Sequence, residues 1–215
     1  MTHPIPFPAD LPAHSLDHWL SPELARVSPP NAPSRLRQLA DAQGTLAAGW
    51  SSAIAGGPVL ALTGAFFSAM SGNPAAVLVL GPLGVALMAL GLTSWKRVRG
   101  RLPNTNKLLI TRGPGNARGG IAVVSVLAVA LGGILCMYLP SATAKDDGTA
   151  ATLVGSFVLI LALLVACIVV PSAVMGRARQ SFRQRVQANP ELRRSVEQDL
   201  ATWRDPYGNA GYGPL

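Results

Sequence analysis

The chain has 215 residues, of which 49% are apolar and only 13% are charged. So few charged side chains cannot cover a soluble globule of this size, which excludes that class. The formal net charge is +8, but the cations flank long apolar stretches. Anionic lipid headgroups in a bilayer are therefore expected partners, and nucleic acid is not.

Residues 1–45 are predicted to form a Pro-rich, polar N-terminal tail. They contain eight prolines, and no basic start followed by an apolar run, the pattern of a signal peptide, is visible among them. Two short helices are predicted in this tail, the first ending at Val27 and the second at 34–40. We expect the second to lie on the membrane surface, with Leu36 and Leu39 toward the lipid.

Four apolar segments are each long enough to cross a hydrocarbon core about 30 Å thick, which takes about 20 helical residues. They cover residues 47–70, 75–95, 121–139 and 153–174. A compact Ser-Gly-Asn-Pro turn joins the first two, and residues 140–149 join the last two. The predicted fold class is an all-α integral membrane protein with four transmembrane helices, arranged as two helical hairpins at 46–95 and 119–175.

The segments outside these hairpins are basic. The loop 96–118 holds seven Lys or Arg and no acidic residue, and 176–215 forms a basic amphipathic C-terminal tail. Because basic residues tend to stay on the cytoplasmic side, both termini and the loop are expected there. Six cations near the ends of the apolar segments are predicted to contact headgroups at the membrane surface: Lys96, Arg97, Arg99, Arg101, Arg177 and Arg179.

The first apolar segment carries a small residue at every fourth position: Gly49, Ala53, Gly57, Ala61, Ala65 and Ala69. On a helix this spacing predicts a seam that another helix can approach closely, either in this chain or in a second copy. The seam therefore predicts helix packing. It is also the candidate lining of a pore built from several copies, with Ser and Thr hydroxyls supplying the polarity.

Two Gly-Pro pairs interrupt the first hairpin, Gly57-Pro58 and Gly81-Pro82. Proline removes a helical hydrogen bond, and an adjacent glycine lets the backbone bend. The functional interpretation is a hinge or a constriction in a pore. The alternative is an ordinary kinked helix, since both residue types are common in membrane spans.

The C-terminal tail contains one well-marked helix. Asn189 is the predicted cap and Pro190 lies in the first turn. The residues after them place one apolar stripe on a single face: Leu192, Val196, Leu200 and Trp203. We expect this helix to dock on the membrane, on the basic loop or on a partner protein. Residues 205–215 are rich in Gly and Tyr and are expected to be unstructured.

No Asp, Glu, Lys, Arg or His lies within the four spans, which argues against ion-coupled transporters and pumps. The three histidines all fall in the first eighteen residues. We therefore expect no enzymatic activity, no catalytic residue, no metal and no cofactor. Cys136 and Cys167 fall at opposite ends of neighbouring spans and are expected to remain free thiols.

Together the short chain, the polar tails and the Gly49-xxx-Ala53-xxx-Gly57-xxx-Ala61 ladder resemble small glycine-zipper, pore-forming effectors of type VI secretion. The resemblance covers residues 47–174. It implies a bacterial toxin that inserts into a competitor's inner membrane as a homo-oligomer. It also implies a secretion-system carrier and an immunity protein as partners.

The sequence leaves several functions open. The first hypothesis is a small oligomerising pore or channel that dissipates ion gradients, such as an antagonistic toxin. The second is a non-catalytic membrane scaffold, accessory subunit or immunity protein that uses the C-terminal helix. A solute carrier without ion coupling is the weakest, because no polar residues cluster at the middle of the spans.

Overall fold

The computed structural model describes residues 14–29, 32–103, 114–204 and 211–215, apart from the side chain of Asp147. Residues 104–113 of the predicted basic loop lie outside these ranges. The described residues form nine α-helices, one π-helical turn at Val165–Val169 and no strand. The helices are α1 (Leu16–Trp19), α2 (Pro22–Val27), α3 (Arg35–Ser71), α4 (Ala75–Arg99), α5 (Ala117–Thr143), α6 (Asp147–Leu164), α7 (Val170–Gly176), α8 (Ala178–Ala188) and α9 (Pro190–Thr202).

Contacts divide the chain into two compact units. The first, here called the terminal unit, combines residues up to Ala40 with residues from Arg179 onward. The second, the apolar bundle, comprises Asp41–Ala178. Helix α3 contributes its first six residues to the terminal unit and the remainder to the bundle.

The bundle contains the four long apolar helices that the sequence predicts. Helices α3, α4 and α5, and the segment Gly148–Gly176, are each long and apolar enough to cross a membrane. The all-α class with four such helices is therefore confirmed.

The separate surface helix predicted at 34–40 is wrong. Helix α3 runs unbroken for 37 residues from Arg35, because the intervening segment contains no proline and a single glycine, Gly44. One glycine costs a helix only about 1 kcal/mol relative to alanine. Leu36 and Leu39 are fully buried in the terminal unit, so neither is available to lipid.

The terminal unit has a core of large apolar side chains. They come from the N-terminal segment, from α8 and α9, and from the last residues of the chain: Leu16, Leu20, Leu36, Leu39, Phe182, Val186, Leu192, Val196, Leu200, Tyr212 and Leu215. The expectation that the end of the chain is unstructured is wrong for 211–215. There the Tyr212 carbonyl accepts from Leu36 N–H at 2.9 Å, while residues 205–210 lie outside the described part.

Side-chain caps set several helix starts. Asn189 Oδ1 accepts hydrogen bonds from Glu191 N–H and Leu192 N–H, which confirms the predicted cap of α9. Asn116 in the same way accepts from Gly119 N–H at 2.7 Å and begins α5. Each cap satisfies backbone donors that have no partner within the helix.

Candidate functional site: helix contacts and a groove in the bundle

The central part of the small-residue seam lies against α4. A Cβ built at Gly57 would lie 2.5 Å from the Gly84 carbonyl oxygen and 2.9 Å from Met88 Cβ. A Cβ at Gly84 would in turn meet Gly57 O and lie 3.0 Å from Ala61 N. The two backbones are therefore in direct contact, and any larger side chain at either glycine would push them apart.

The ends of the seam do not share this contact. Gly49, Ala65 and Ala69 are exposed, and no atom lies within 4 Å of a Cβ built at Gly49. Each four-residue step turns the helix by about 40° beyond a full circle, so five steps rotate the seam by about 200°. A straight partner helix can therefore contact only part of it.

Two glycines outside the predicted seam complete the contact. A Cβ at Gly64 would lie 2.9 Å from Ala76 O, and one at Gly91 would lie 2.8 Å from Ile54 Cγ1. The signal that could have found them is the seven-residue spacing from Gly57 to Gly64 and from Gly84 to Gly91. Seven residues make nearly two full helical turns and keep both glycines on one face.

The two Gly-Pro pairs lie in uninterrupted α-helix. Pro58 and Pro82 are both exposed, whereas Gly57 is buried and Gly81 is half-buried. The prolines are thus on the outer side of α3 and α4 in the single chain, and the hinge stays a prediction.

The irregular helix geometry lies instead in the fourth apolar segment. Pro171 has no N–H to donate to the Cys167 carbonyl four residues earlier, which disfavours regular α-helix there. Just before it the chain forms a π-helical turn, in which Val170 N–H donates to the Val165 carbonyl five residues back. Pro171 was the sequence feature from which an irregular turn at this point could have been predicted. Single π turns inside α-helices are frequent at functional sites.

A groove of about 340 Å³ opens beside this turn. We call it the π-turn groove. It is lined by one face of α3 between residues 45 and 52, by the π turn and α7, and by one loop residue: Thr45, Ala48, Gly49, Ser52, Cys167, Ile168, Pro171, Ser172, Met175 and Pro114.

The hydroxyl groups in the π-turn groove are already used within their own helices. Thr45 Oγ1 donates to Asp41 O at 2.9 Å, Ser52 Oγ to Ala48 O at 3.5 Å, and Ser172 Oγ to Ile168 O. The remaining lining is mostly apolar. The groove therefore offers a chemically apolar surface rather than a set of free hydrogen-bond donors.

One buried polar side chain joins α3 to the end of α4. Gln43 is fully buried, and its Nε2 donates to Val98 O at 2.8 Å, Arg101 O at 3.0 Å and Arg99 O at 3.3 Å. The last carbonyls of a helix lack partners within it. Gln43 satisfies these acceptors and so fixes the C-terminal end of α4 against α3.

The predicted membrane-surface cations are divided between the two units. Lys96, Arg97, Arg101 and Arg177 are exposed residues of the bundle. The Arg99 guanidinium lies 4.8 Å from the centre of the Trp95 ring, a cation–π contact. Arg179 is half-buried and belongs to the terminal unit.

The apolar stripe of α9 is covered within the chain. Leu192, Val196 and Leu200 are buried, and the fourth member, Trp203, is half-buried with its ring 6.0 Å from that of Tyr212. The apolar stripe predicted to dock on a partner is therefore already covered by other residues of the same chain.

A polar network lies beside this stripe and includes Arg35, which was not predicted as a site residue. Its Nε and Nη2 bind both Asp199 carboxylate oxygens, at 3.1 and 2.9 Å. Such two-point contacts are among the stronger ion pairs in proteins. The Tyr212 hydroxyl lies 3.2 Å from Asp199 and 2.9 Å from the Val196 carbonyl oxygen. Burial raises the pKa of Tyr212, and the nearby Asp199 charge adds to the effect.

Cys136 and Cys167 are both free and exposed, which confirms the prediction that they do not pair. Among the described residues, no group of three or more His, Cys, Asp or Glu side chains could hold a metal ion.

No protein-family model, no curated protein and no solved structure matches this chain. The resemblance to glycine-zipper effectors therefore rests on the residues quoted for it, and the secretion carrier and immunity protein stay predictions.

Proposed function

We propose that this chain is a four-span integral membrane protein of the non-catalytic interaction class. It acts as a scaffold or accessory subunit that holds a small helical unit at the cytoplasmic surface. The observation that carries the proposal is the shared core of the two chain ends, in which Leu36, Phe182 and Tyr212 are buried in one unit. A chain with both ends on one side must cross a membrane an even number of times, and the bundle has four suitable helices.

The contacts within the bundle support an arrangement as two helical hairpins. Gly57 meets Gly84, Gly64 meets Ala76, and the order of these pairs along the chain makes α3 and α4 antiparallel. Helix α5 packs against α6, the π turn and α7. Large apolar side chains remain exposed along these helices, as a lipid-facing surface requires: Leu78, Val79, Leu90, Val126, Val129 and Met137 are examples.

The topology can be tested by cysteine labelling in intact cells. Cys136 and Cys167 are replaced by serine, and single cysteines are introduced as Val27→Cys, Asn73→Cys and Lys145→Cys at exposed positions. A membrane-impermeant maleimide is expected to label positions 73 and 145 from outside and to reach position 27 only after permeabilisation. Labelling of 27 in intact cells, or of only one of the two turns, contradicts the four-span topology.

The scaffold role can be tested by blue native electrophoresis of membranes from the source cell. The tagged chain is expected to migrate as a complex larger than its own detergent micelle, and Phe182→Ala, which removes the centre of the terminal unit, should release it. Val129→Ala, on the exposed side of α5, is the matched control. A complex that survives Phe182→Ala contradicts a scaffold that works through this unit.

A pore is the second candidate function. The observation that favours it is that Ala65 and Ala69 lie outside the α3–α4 contact and are exposed, so this end of the seam remains available to another copy. Small residues of this kind allow close helix approach between chains. A pore assembled through this face in a competitor's inner membrane would dissipate ion gradients, as a secreted toxin does.

The test of the pore uses Ala65 and Ala69, because a substitution at Gly57 would break the chain's own packing. Liposomes containing the purified chain are loaded with a pH-sensitive dye, and proton leakage is followed after an imposed gradient. A pore predicts leakage that the double variant Ala65→Leu with Ala69→Leu abolishes and that Ala86→Leu, exposed on α4, preserves. Leakage no faster than from empty liposomes contradicts the pore.

A further inference from the structure

The π-turn groove lies close to the residues that mark a membrane–water boundary. On α3 it begins at Thr45 and reaches Ser52, a stretch that contains Trp50. On α7 it ends at Met175, two residues before Arg177. Tryptophan and arginine concentrate at the headgroup level of bilayers. The groove therefore opens where the end of an acyl chain meets its headgroup.

The chemistry of the groove selects a hydrocarbon occupant. The three hydroxyls of its lining each donate to a carbonyl four residues earlier in the same helix. A polar solute or an ion would find few free partners there. The volume of about 340 Å³ is at the lower end of the range of small-molecule sites, about 300–1,000 Å³.

Two arginines lie within four residues along the chain of residues that line the groove. A Cβ built at Gly176 would lie 3.3 Å from Asn116 Cα, so the end of α7 touches the start of α5. Arg177 and Arg118 follow these two residues within one or two positions, and both are exposed. Asp41, one turn before Thr45, is the acidic residue of α3 nearest to the groove. The two arginines therefore outnumber the acidic residue near this end of the groove.

We propose that the π-turn groove binds one anionic phospholipid of the surrounding bilayer. An acyl chain lies between α3 and the π turn, and the phosphate lies near Arg118 and Arg177. The inference rests on the membrane insertion of the proposed function. It adds a specific lipid site to it, since a bound lipid would join α3 to the irregular part of the fourth span.

The two cysteines of the chain provide the test. Cys167 lines the groove and Cys136 does not, yet both are exposed. The full-length protein in an uncharged detergent is alkylated with N-ethylmaleimide while palmitoyl-oleoyl phosphatidylglycerol is added, and the rate at each cysteine is read by peptide mass spectrometry. Phosphatidylglycerol is expected to slow alkylation of Cys167 about tenfold and to leave Cys136 unchanged, whereas phosphatidylcholine protects only at higher concentration.

Two further variants test separately whether the apolar groove and the two arginines are needed for lipid binding. Gly49→Phe fills the groove at a position where a Cβ meets no atom within 4 Å, and Gly133→Phe is the matched control on α5, where the same is true. Only the first should remove the effect of lipid on Cys167. Replacing both Arg118 and Arg177 by Gln should raise the phosphatidylglycerol concentration needed by roughly thirtyfold, from about 1 kcal/mol for each cation near an anionic surface.

Several outcomes would overturn the inference. Equal protection of both cysteines means non-specific lipid coating, and slow alkylation of Cys167 in lipid-free detergent means that protein covers the groove. Equal protection of Cys167 by phosphatidylglycerol and phosphatidylcholine contradicts the proposed preference for an anionic headgroup. The labelling of positions 73 and 145 in cells is independent of all of these, so a failed lipid site and a failed membrane topology give different results.

Discussion

The terminal unit and the apolar bundle bury opposite kinds of side chain. In the terminal unit Leu36, Phe182 and Val196 are each 0% exposed. In the bundle the backbones of α3 and α4 meet at glycines such as Gly57 and Gly84. Its large apolar side chains point outward, and Val129 is 76% exposed.

The proposed insertion of the bundle into a membrane accounts for this difference. In water, burying a large apolar side chain stabilises the folded state by about 1.5–3 kcal/mol, so a small unit collects such residues in its core. In lipid that gain is absent, because the surroundings are as apolar as the side chain, and helices associate through close backbone approach instead. One chain thus follows both rules, with α3 taking part in each region.

The largest effect is expected from Phe182→Ala. Removing this fully buried ring leaves a cavity in the terminal unit and should lower its free energy of unfolding by about 3–5 kcal/mol. Hydrogen–deuterium exchange of the α8 and α9 amides, in the full chain in nanodiscs, should accelerate while exchange in α5 stays unchanged. Val129→Ala is the control. Comparable acceleration of exchange in both variants would mean that buried side chains of the terminal unit and exposed side chains of the bundle contribute equally to stability.

The second-largest loss of stability is expected from Gly84→Leu in the bundle. The new side chain would collide with the backbone at Gly57 and Ala61, and overpacking of this kind costs about 3 kcal/mol. The measurement is the midpoint of unfolding in a titration with sodium dodecyl sulfate, followed by circular dichroism. Gly133→Leu, which meets open space, should leave the midpoint in place. Equal stability of the two variants would mean that close backbone approach does not hold α3 to α4.

The four apolar helices could be predicted from the sequence because length and lack of charge suffice to define them. The contact between them could be predicted only in part. Gly57 and Ala61 lie against α4, but a strict four-residue ladder rotates around the helix, so Gly49 and Ala69 leave that face. The seven-residue pair Gly57 and Gly64 follows the true helical period more closely.

The terminal unit could not be predicted because its partners are far apart along the chain. Arg35 and Asp199 are separated by 164 positions, and each end by itself is a polar segment with a short apolar stripe. The stripe of α9 was recognised, but its burial within the chain was not, since Leu36 and Leu39, which are buried in the same unit, were assigned to the lipid surface. No local pattern distinguishes a stripe that binds lipid from one that binds another part of the same chain.

A smaller effect is expected from Gln43→Leu. The leucine is similar in size but leaves the carbonyls of Val98 and Arg101 without their donor, at a cost of about 2 kcal/mol for the two lost hydrogen bonds. Limited proteolysis should therefore show trypsin cleaving after Arg101 more than tenfold faster. Gln180→Leu, exposed on α8, is the control. An unchanged cleavage rate would mean that apolar packing alone holds the end of α4.

The smallest effect is expected from Tyr212→Phe in the terminal unit. The variant keeps the ring and loses the hydroxyl contacts with Val196 O and Asp199, which should reduce the stability of the unit by about 1 kcal/mol. The readout is again amide exchange in α9, at neutral pH. A loss as large as that of Phe182→Ala would mean that the polar network, rather than the apolar core, holds the two chain ends together.

The same residue predicts a dependence on alkaline pH. Burial and the Asp199 charge raise the pKa of Tyr212 above its ordinary value of 10.0, so the folded unit keeps the phenol proton where the unfolded chain loses it. The resulting stability is fully present below pH 10 and declines as the pH rises beyond that value. Chemical denaturation at pH 9 and pH 11 should therefore show a steeper loss for the native chain than for Tyr212→Phe. Equal slopes would place the Tyr212 hydroxyl in water and remove it from the core of the terminal unit.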